Sequence, residues 1–271
     1  MGRPEASIWP DLIDLPEVAF RLREIMTSSF PPMDELLRLE IQQQPDDYTC
    51  GPTCLHAVYR YFGFGADLDR VISEVAYLKE GGTLAVQLGC HALKHGFKAS
   101  IYTYNLQVFD PTWFSLSPTE MQEKLRLQAQ MKKDSRLDFA TSAYLEFLQH
   151  DGRIFLEDLT PSLIRGFLKR KIPILTGLSS TYLYRSAREF GDNLDYDYDD
   201  VRGVSSGHFV VLCGYNREDR KVLVADPYKP SPLSAGHLYP VSLDRLINSI
   251  LLGILTYDAN LLILEPRGGK R

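Results

Sequence analysis

A glutamine and two cysteines near residue 50 form the pattern whose chemistry is most specific. Pro52 and the helically spaced apolar residues after it predict a helix that begins beside Cys50. Unpaired backbone N–H groups and the positive end of the helix dipole favour a thiolate there, so we expect a lowered thiol pKa and a nucleophilic Cys50. Gln44 can direct its amide donors towards a developing oxyanion. Cys54 lies a full turn inside the helix, where the dipole has less effect, and is the weaker candidate.

A histidine and an aspartate later in the chain can complete this chemistry. Residues 208–215 and 221–227 have the composition of two strands joined by a hairpin loop. If the loop is centred on Arg217, His208 lies opposite Asp226 and the two side chains share one face of the sheet. The carboxylate would then orient the imidazole beside the thiolate, as a catalytic triad requires. This inference depends on an odd-length loop, since a one-residue slip separates the two faces.

These motifs resemble those of the papain-like cysteine peptidases. The resemblance is carried by Gln-x5-Cys-Gly-Pro-Thr-Cys-Leu from Gln44, by Gly-His-Phe-Val-Val-Leu-Cys-Gly-Tyr at 207–215 and by Ala-Asp-Pro at 225–227. They are most similar to the bacteriocin-processing branch, which cuts leader peptides after a double glycine, and to its free-standing members. The similarity extends over residues 41–230 and implies a papain-like α+β fold. In that fold a helical half carrying the nucleophile packs against an antiparallel sheet carrying the histidine and aspartate.

The resemblance implies a thiol hydrolase that cleaves a peptide or isopeptide bond through an acyl-enzyme thioester. Cys50 would attack the carbonyl while Gln44 and the Cys50 N–H hold the oxyanion. His208, oriented by Asp226, would protonate the leaving amine. The same triad can instead deliver the acyl group to an amine, as a transpeptidase or amide-forming enzyme. Relatives that have lost the cysteine only bind leader peptides, and this non-catalytic alternative is disfavoured by the presence of Cys50.

Composition limits the other function classes. Hydrophobic residues make up 44% and charged residues 24% of the 271 residues, as in ordinary globular proteins. The net charge of -5 and the lack of a basic stripe argue against a nucleic-acid partner. No signal peptide, myristoylation signal or membrane-spanning apolar run occurs, so we expect a cytoplasmic protein with no membrane partner. The chain shares Cys-Gly and Gly-His motifs with a eukaryotic group named guanylyl cyclases, but it lacks their expected glycine-rich phosphate cradle and paired metal carboxylates.

The remaining cysteines and histidines give no ligand pattern, so we expect neither a metal nor a cofactor. No Cys-x-x-Cys pair occurs, and all cysteines should be reduced thiols. Cys213 should be a small buried side chain facing away from His208. The other histidines are expected to pack or to be solvated, on helices or in loops, without the spacing of a zinc site. They are His56, His91, His95, His150 and His237.

The chain order predicts an N-terminal helical extension over residues 1–40 and a papain-like domain over 41–271. Helical patterns cover residues 14–27 and 34–39 of the extension. In the domain, three helices, a strand and a charged, leucine-rich helical insertion at about 105–150 precede the second half. The expected ranges of the other elements are helices from 50 to about 63, 67–78, 84–95 and 160–170, and strands 97–104 and 172–176.

Residues 192–200 contain five aspartates and no periodic apolar face, which predicts an acidic loop. The spacing imitates the first ligands of a calcium loop, but the required turn glycine and closing glutamate are missing. The loop is therefore either solvated surface or a site that recognises a basic segment of a substrate, since it leads directly to His208.

Overall fold

The computed structural model describes residues 32–78, 82–192, 195–228 and 231–268, with the side chains of residues 192, 195 and 196 not described. The helix predicted over residues 14–27 lies outside the described residues. The helix predicted over residues 34–39 is wrong, because this segment contains strand β1 (Glu35–Leu36). β1 pairs antiparallel with residues 214–215, so tertiary pairing overrides the local helical pattern.

The described helices follow the predicted order. They are α1 (Cys50–Tyr61), α2 (Leu68–Glu74), α3 (Ala85–Lys94), α4 (Pro118–Lys132), α5 (Ser135–Gln149), α6 (Pro161–Lys169), α7 (Ser180–Tyr184) and α8 (Leu243–Leu252), with short 3-10 helices at Pro111–Ser115 and Gly253–Thr256. The segment at 105–150 is largely helical, as expected. Ser117 and Glu120 form a reciprocal capping box that fixes the start of α4. That the segment at 105–150 is an insertion stays a prediction.

The remaining strands are β2 (Phe97–Thr103), β3 (Arg153–Phe155), β4 (Ile174–Ser179), β5 (Glu189–Asp192), β6 (Asp195–Tyr198), β7 (Gly207–Asn216), β8 (Lys221–Ala225), β9 (Leu238–Ser242) and β10 (Asn260–Pro266). The large sheet has the order β3-β2-β10-β4-β7-β8-β9, and β1 pairs with β7 beside this path. Its pairs are antiparallel except β2 with β3. Helix α1 packs on β7, so the predicted α+β class, with a helical half against an antiparallel sheet, is confirmed.

The β7–β8 hairpin differs from the predicted register. Asn216 pairs with Lys221, which leaves a four-residue loop instead of the expected odd-length loop centred on Arg217. The side chain of Asn216 accepts a hydrogen bond from the Asp219 N–H at 2.7 Å and donates to the carbonyl of Pro32. Asn216 therefore stabilises the turn and ties it to Pro32, at the start of the described residues.

An even loop alone would put His208 and Asp226 on opposite faces of the sheet. A bulge between Leu212 and Gly214 adds one residue to β7, and this extra residue returns His208 and Asp226 to the same face of the sheet. Beyond the bulge Val211 pairs with Ala225, so continuing the register places Asp226 opposite position 210 rather than opposite His208. Positions 208 and 210 share a face. The prediction of a shared face is therefore correct, whereas the predicted directly opposite pairing is wrong by two residues.

The acidic segment is a second correction. Residues predicted to form a loop belong to an antiparallel β5–β6 hairpin in which Glu189 pairs with Tyr198. Charge is partly compensated within it, because Arg202 lies 2.6 Å from the Asp199 carboxylate. The Arg188 guanidinium donates to the carbonyl of Asp200. Pairing and local ion contacts therefore order a segment whose composition suggests a loop.

Candidate active site

Cys50 is the first residue of α1, so the predicted helix-tip position is confirmed. The Thr53 N–H donates to the Thr49 carbonyl at 3.0 Å, which closes the first turn. Helix geometry leaves the N–H groups of Cys50 and Gly51 without an intrahelical acceptor, and Pro52 has none to lose. The backbone donors at the tip therefore lie beside the Cys50 side chain, which is 8% exposed.

His208 lies between Cys50 and Asp226. Its Nε2 atom is 2.8 Å from Oδ1 of Asp226, so its Nδ1 is the nitrogen available to the Cys50 thiol. Burial would lower the pKa of His208, but the charge and hydrogen bond of Asp226 and the neighbouring Cys50 outweigh it and raise the pKa above the usual value. The imidazolium form is therefore stabilised where a proton would be taken from the thiol.

Asp226 is fully buried and receives four hydrogen bonds. Oδ1 accepts from His208 and from the Tyr228 N–H at 2.9 Å. Oδ2 accepts from the hydroxyl of Tyr184 at 2.7 Å and from that of Tyr239. Burial would raise the pKa of Asp226, but His208 and the two tyrosines together hold it below its usual value. The carboxylate thus stays charged and fixed in orientation.

The two tyrosines were missed by the sequence analysis. Tyr239 lies on β9 and pairs with Val224 on β8. Val224 is two residues before Asp226 in the sequence. A prediction of a third strand after β8 would have placed Tyr239 beside the carboxylate. Tyr184 ends the short helix α7, and nothing in its local sequence indicates this contact.

Gln44 reaches the same site from the chain before α1. Its backbone N–H donates to the Pro227 carbonyl at 3.0 Å, which ties this segment to the residue after Asp226. Its side-chain Nε2 donates to the Asp46 carbonyl at 2.8 Å, which uses one of the two amide hydrogens. The structure therefore brings Gln44, Cys50, His208 and Asp226 together, as their sequence pattern predicts.

These groups surround a cavity of about 320 Å³ whose wall includes Gln44, Cys50 and His208. Cys54 does not reach it: the thiol is fully buried, donates to the Phe209 carbonyl at 3.3 Å and has a pKa raised by burial. Cys213 is also buried, as expected, and all four cysteines are free thiols. Cys50 is thus the cysteine that lines the cavity.

Two glycines beside the candidate triad are required for close packing. A Cβ atom on Gly51 would lie 2.4 Å from Cγ2 of Thr83 and 3.3 Å from the ring of Phe209. A Cβ atom on Gly207 would lie 2.6 Å from the hydroxyl of Thr256. Gly51 thus allows the helix tip to lie against Thr83 and Phe209, and Gly207 allows the start of β7 to lie against Thr256.

Asp258 is a buried carboxyl group that, unlike Asp226, lies in the cavity wall. Its Oδ1 accepts from the Ala85 N–H at 2.9 Å and from the side-chain amide of Asn260 at 3.2 Å. Burial outweighs these hydrogen bonds and raises the pKa of Asp258 to about 7. The sequence analysis did not identify this group, because its burial depends on the packing of the 3-10 helix before β10.

Outside the cavity, one group among the described residues has metal-ligand geometry. The ligand atoms of Glu74, His91 and His95 all lie within 4.8 Å of one another. The sequence analysis treated both histidines as packing or solvated residues.

Comparison with known protein families gives one match. A model of the Peptidase_C39 like family matches residues 148–242, which include His208 and Asp226 but not Cys50. The predicted resemblance to bacteriocin-processing cysteine peptidases is therefore confirmed for this part of the chain. The match supports a cysteine peptidase, while no curated protein matches the sequence.

The solved structures that are similar to this chain include three peptidases. A double glycine motif protease from an AMS/PCAT transporter, in complex with its leader peptide, is 13% identical, with a TM-score of 0.40 and coverage of 86% of this chain and 95% of that one. A putative C39-like peptidase from Bacillus anthracis is 14% identical, with a TM-score of 0.44 and coverage of 88% and 100%. The peptidase domain of Streptococcus ComA, a bifunctional ABC transporter involved in quorum sensing, is 13% identical, with a TM-score of 0.39 and coverage of 84% and 99%. Among the described residues, no helix has the length and apolar character needed to cross a membrane.

Replacing Gly51 with alanine should disturb the site through packing. The added methyl group must displace Thr83 or the helix tip, and a shift of about 1 Å can cost on the order of 100-fold in turnover. We expect a 10- to 100-fold loss of activity, of the order set by that displacement. Gly166→Ala is the matched control, since no atom lies within 4 Å of its added Cβ. Equal activity in the two variants would contradict this packing argument.

Asp258 should make stability depend on pH. Because folding raises its pKa to about 7, its contribution is fully present below the ordinary aspartate pKa and is lost as pH rises through the folded value. The Tm should therefore fall between pH 5 and 6.5 by less in Asp258→Asn than in the natural chain. The raised pKa of His208 acts mainly at higher pH and is common to both proteins. Identical Tm changes would show that Asp258 has no raised pKa.

Proposed function

We propose that this chain is a cysteine peptidase that hydrolyses a peptide or isopeptide bond with Cys50, His208, Asp226 and Gln44. The observation that carries the proposal is the position of His208, which lies between the Cys50 thiol and a fully buried carboxylate. A histidine in this setting can take the thiol proton through Nδ1 while Nε2 remains bound to Asp226.

The first chemical stage forms the acyl-enzyme. Cys50 sulfur attacks the carbonyl carbon, and the carbonyl π electrons move to oxygen. The Cys50 N–H and the remaining Nε2 hydrogen of Gln44 stabilise that oxyanion. As the oxyanion collapses, the C–N bond breaks and His208 gives its proton to the leaving amine.

The second stage releases the acid. Water loses a proton to His208 and attacks the thioester carbonyl, and the C–S bond then breaks to regenerate the thiolate beside the imidazolium. Asp226 keeps its hydrogen bond to Nε2 through both stages. Its two tyrosine donors hold the oxygen that does not contact His208.

We further propose that the substrate carries a basic residue near the scissile bond. Asp47, Glu189 and Asp258 line the cavity together with two basic side chains, Arg136 and His208. Asp199, just after β6, is less suited to this role, because its carboxylate is paired with Arg202. Glu189, at the start of the same hairpin, lines the cavity, so we assign the contact with the basic residue to Glu189.

The function is tested by comparing Cys50→Ala with Cys54→Ala on a proteome-derived peptide library, with new termini identified by mass spectrometry. Cys50→Ala should yield no new termini, whereas Cys54→Ala should keep its cleavage pattern, because Cys54 donates only to a backbone carbonyl. At fixed pH, Cys50 alkylation should be at least 10-fold slower in Asp226→Asn, which removes the charge that stabilises the imidazolium. Asn216→Ala is the hairpin control and should not slow it.

The outcomes separate the reaction classes. Unchanged cleavage by Cys50→Ala would overturn the peptidase mechanism. Products in which an added amine replaces the leaving group, without hydrolysis, would instead identify an acyltransferase. Binding of library peptides without any new bond would identify a peptide-binding module.

The basic preference is tested separately with matched peptides that contain Lys or norleucine beside the cleaved bond. Glu189→Gln should raise KM for the lysine peptide about two- to fivefold, as expected for a partly exposed charge pair, and leave the norleucine peptide unchanged. Higher salt should reduce this difference. Asp197→Asn is the matched hairpin control, since the carboxylate of Asp197 accepts from the Tyr198 N–H instead. Equal KM changes for both peptides would refute a charge contact at Glu189.

A further inference from the structure

Two histidines and a glutamate converge on the side of α3 that faces α2. His91 lies on α3 and His95 is its C-cap, one turn later, with the two rings stacked at a centroid distance of 4.2 Å. Glu74 is the last residue of α2. The sequence shows the two histidines four residues apart but gives no sign that α2 supplies a third ligand.

Two of the three ligand–ligand distances match those around a tetrahedral metal ion. Nε2 of His91 lies 3.2 Å and Nε2 of His95 lies 3.3 Å from the same oxygen, Oε2 of Glu74. Zinc–nitrogen and zinc–oxygen bonds of about 2.0–2.1 Å at the tetrahedral angle separate neighbouring ligand atoms by about 3.3–3.4 Å. The third pair, the two Nε2 atoms, lies within 4.8 Å, so one ion can contact all three atoms once these two nitrogens stand at the same separation.

The positions of the hydrogens also favour a cation. Nδ1 of His95 lies 2.9 Å from the His91 carbonyl, which can only accept, so Nδ1 carries the hydrogen. A neutral His95 then directs the lone pair of Nε2 at a carboxylate oxygen, which is also a lone-pair donor. Such a contact needs either an additional proton or a metal ion.

His91 is the buried member of the cluster. Tyr59 lies 2.8 Å from Nδ1 of His91 and orients its ring. Second contacts of this kind commonly fix metal-bound histidines.

The surrounding charges leave the binding atoms accessible. Arg70 donates to the other oxygen of Glu74, Oε1, at 2.7 Å, and leaves Oε2 to face the two histidines. Lys94 lies 2.6 Å from the carboxylate of Glu146, which neutralises the nearest ammonium group. A cavity of about 380 Å³ adjoins the three ligands and can admit a water as the fourth.

We propose that Glu74, His91 and His95 bind a divalent transition-metal ion, with zinc as the best match to two imidazoles and one carboxylate. Calcium and magnesium are disfavoured by the two nitrogen ligands. The ion would join the end of α2 to α3. The chain between these helices includes Leu78 and Thr83, which line the active-site cavity, so the ion would support that wall.

The test uses Cys50→Ala as the parent protein, because the active-site thiol and imidazole can bind zinc independently. After treatment with chelator and its removal, we expect one equivalent of Co²⁺ to give the visible absorption of a tetrahedral site without a sulfur charge-transfer band. Zinc should displace the cobalt. At a free zinc concentration about 100 times the Kd, the Tm should rise by about 5–10 °C.

Adding His95→Gln or Glu74→Gln to this parent should weaken cobalt and zinc binding at least 100-fold. His150→Gln is the control, because His150 is an exposed helix cap outside the cluster and should leave binding unchanged. Two ligand variants are used so that the test stands if one fails to fold. Equal metal affinity in the parent and in a folded ligand variant would overturn the site, as would no tetrahedral absorption in the parent at 100 µM Co²⁺.

Discussion

The burial of the Asp226 charge is the constraint on which the candidate active site depends. A carboxylate removed from water is costly unless its oxygens are satisfied, and breaking a buried pair costs about 3–5 kcal/mol. Here the donors come from β7, α7, β9 and the chain just after β8. Each of these elements must be in place before the carboxylate can be buried as an anion. The elements that must assemble to bury the Asp226 carboxylate are therefore the same elements that orient His208.

The helix that carries the thiol is positioned by a different kind of interaction. At Gly51 its tip packs closely against Thr83 and against the ring of Phe209 on β7, and at Gly207 the start of β7 packs against Thr256. The glycines that flank Cys50 and His208 in the sequence motifs thus have a steric reason, separate from the chemistry of their neighbours. Packing sets how near the thiol comes to the imidazole, and the hydrogen bonds of Asp226 set how the imidazole is turned.

The sequence predicted the features that depend on local order. Cys50 at a helix tip follows from Pro52 and the apolar spacing, and the strand containing His208 follows from its composition. The register of His208 against Asp226 could not be predicted in this way, because the even loop and the bulge at Cys213 are set by pairing with several strands. The contacts of Tyr184 and the burial of Asp258 were likewise inaccessible, since each depends on elements far apart in the chain.

The two sites are joined by α1, which has Cys50 at its first turn and Tyr59 near its end. Nine residues of helix separate them by about 14 Å along the axis. Tyr59 is fully buried and contacts His91, so an ion at the histidines would fix the end of α1 that lies away from the thiol. The opposite end is already confined, because Gly51 has no room for even a methyl group beside Thr83. With an ion bound, both ends of α1 would be held in place. A metal ion at Glu74, His91 and His95 would therefore stabilise the active-site wall and would not switch it between positions.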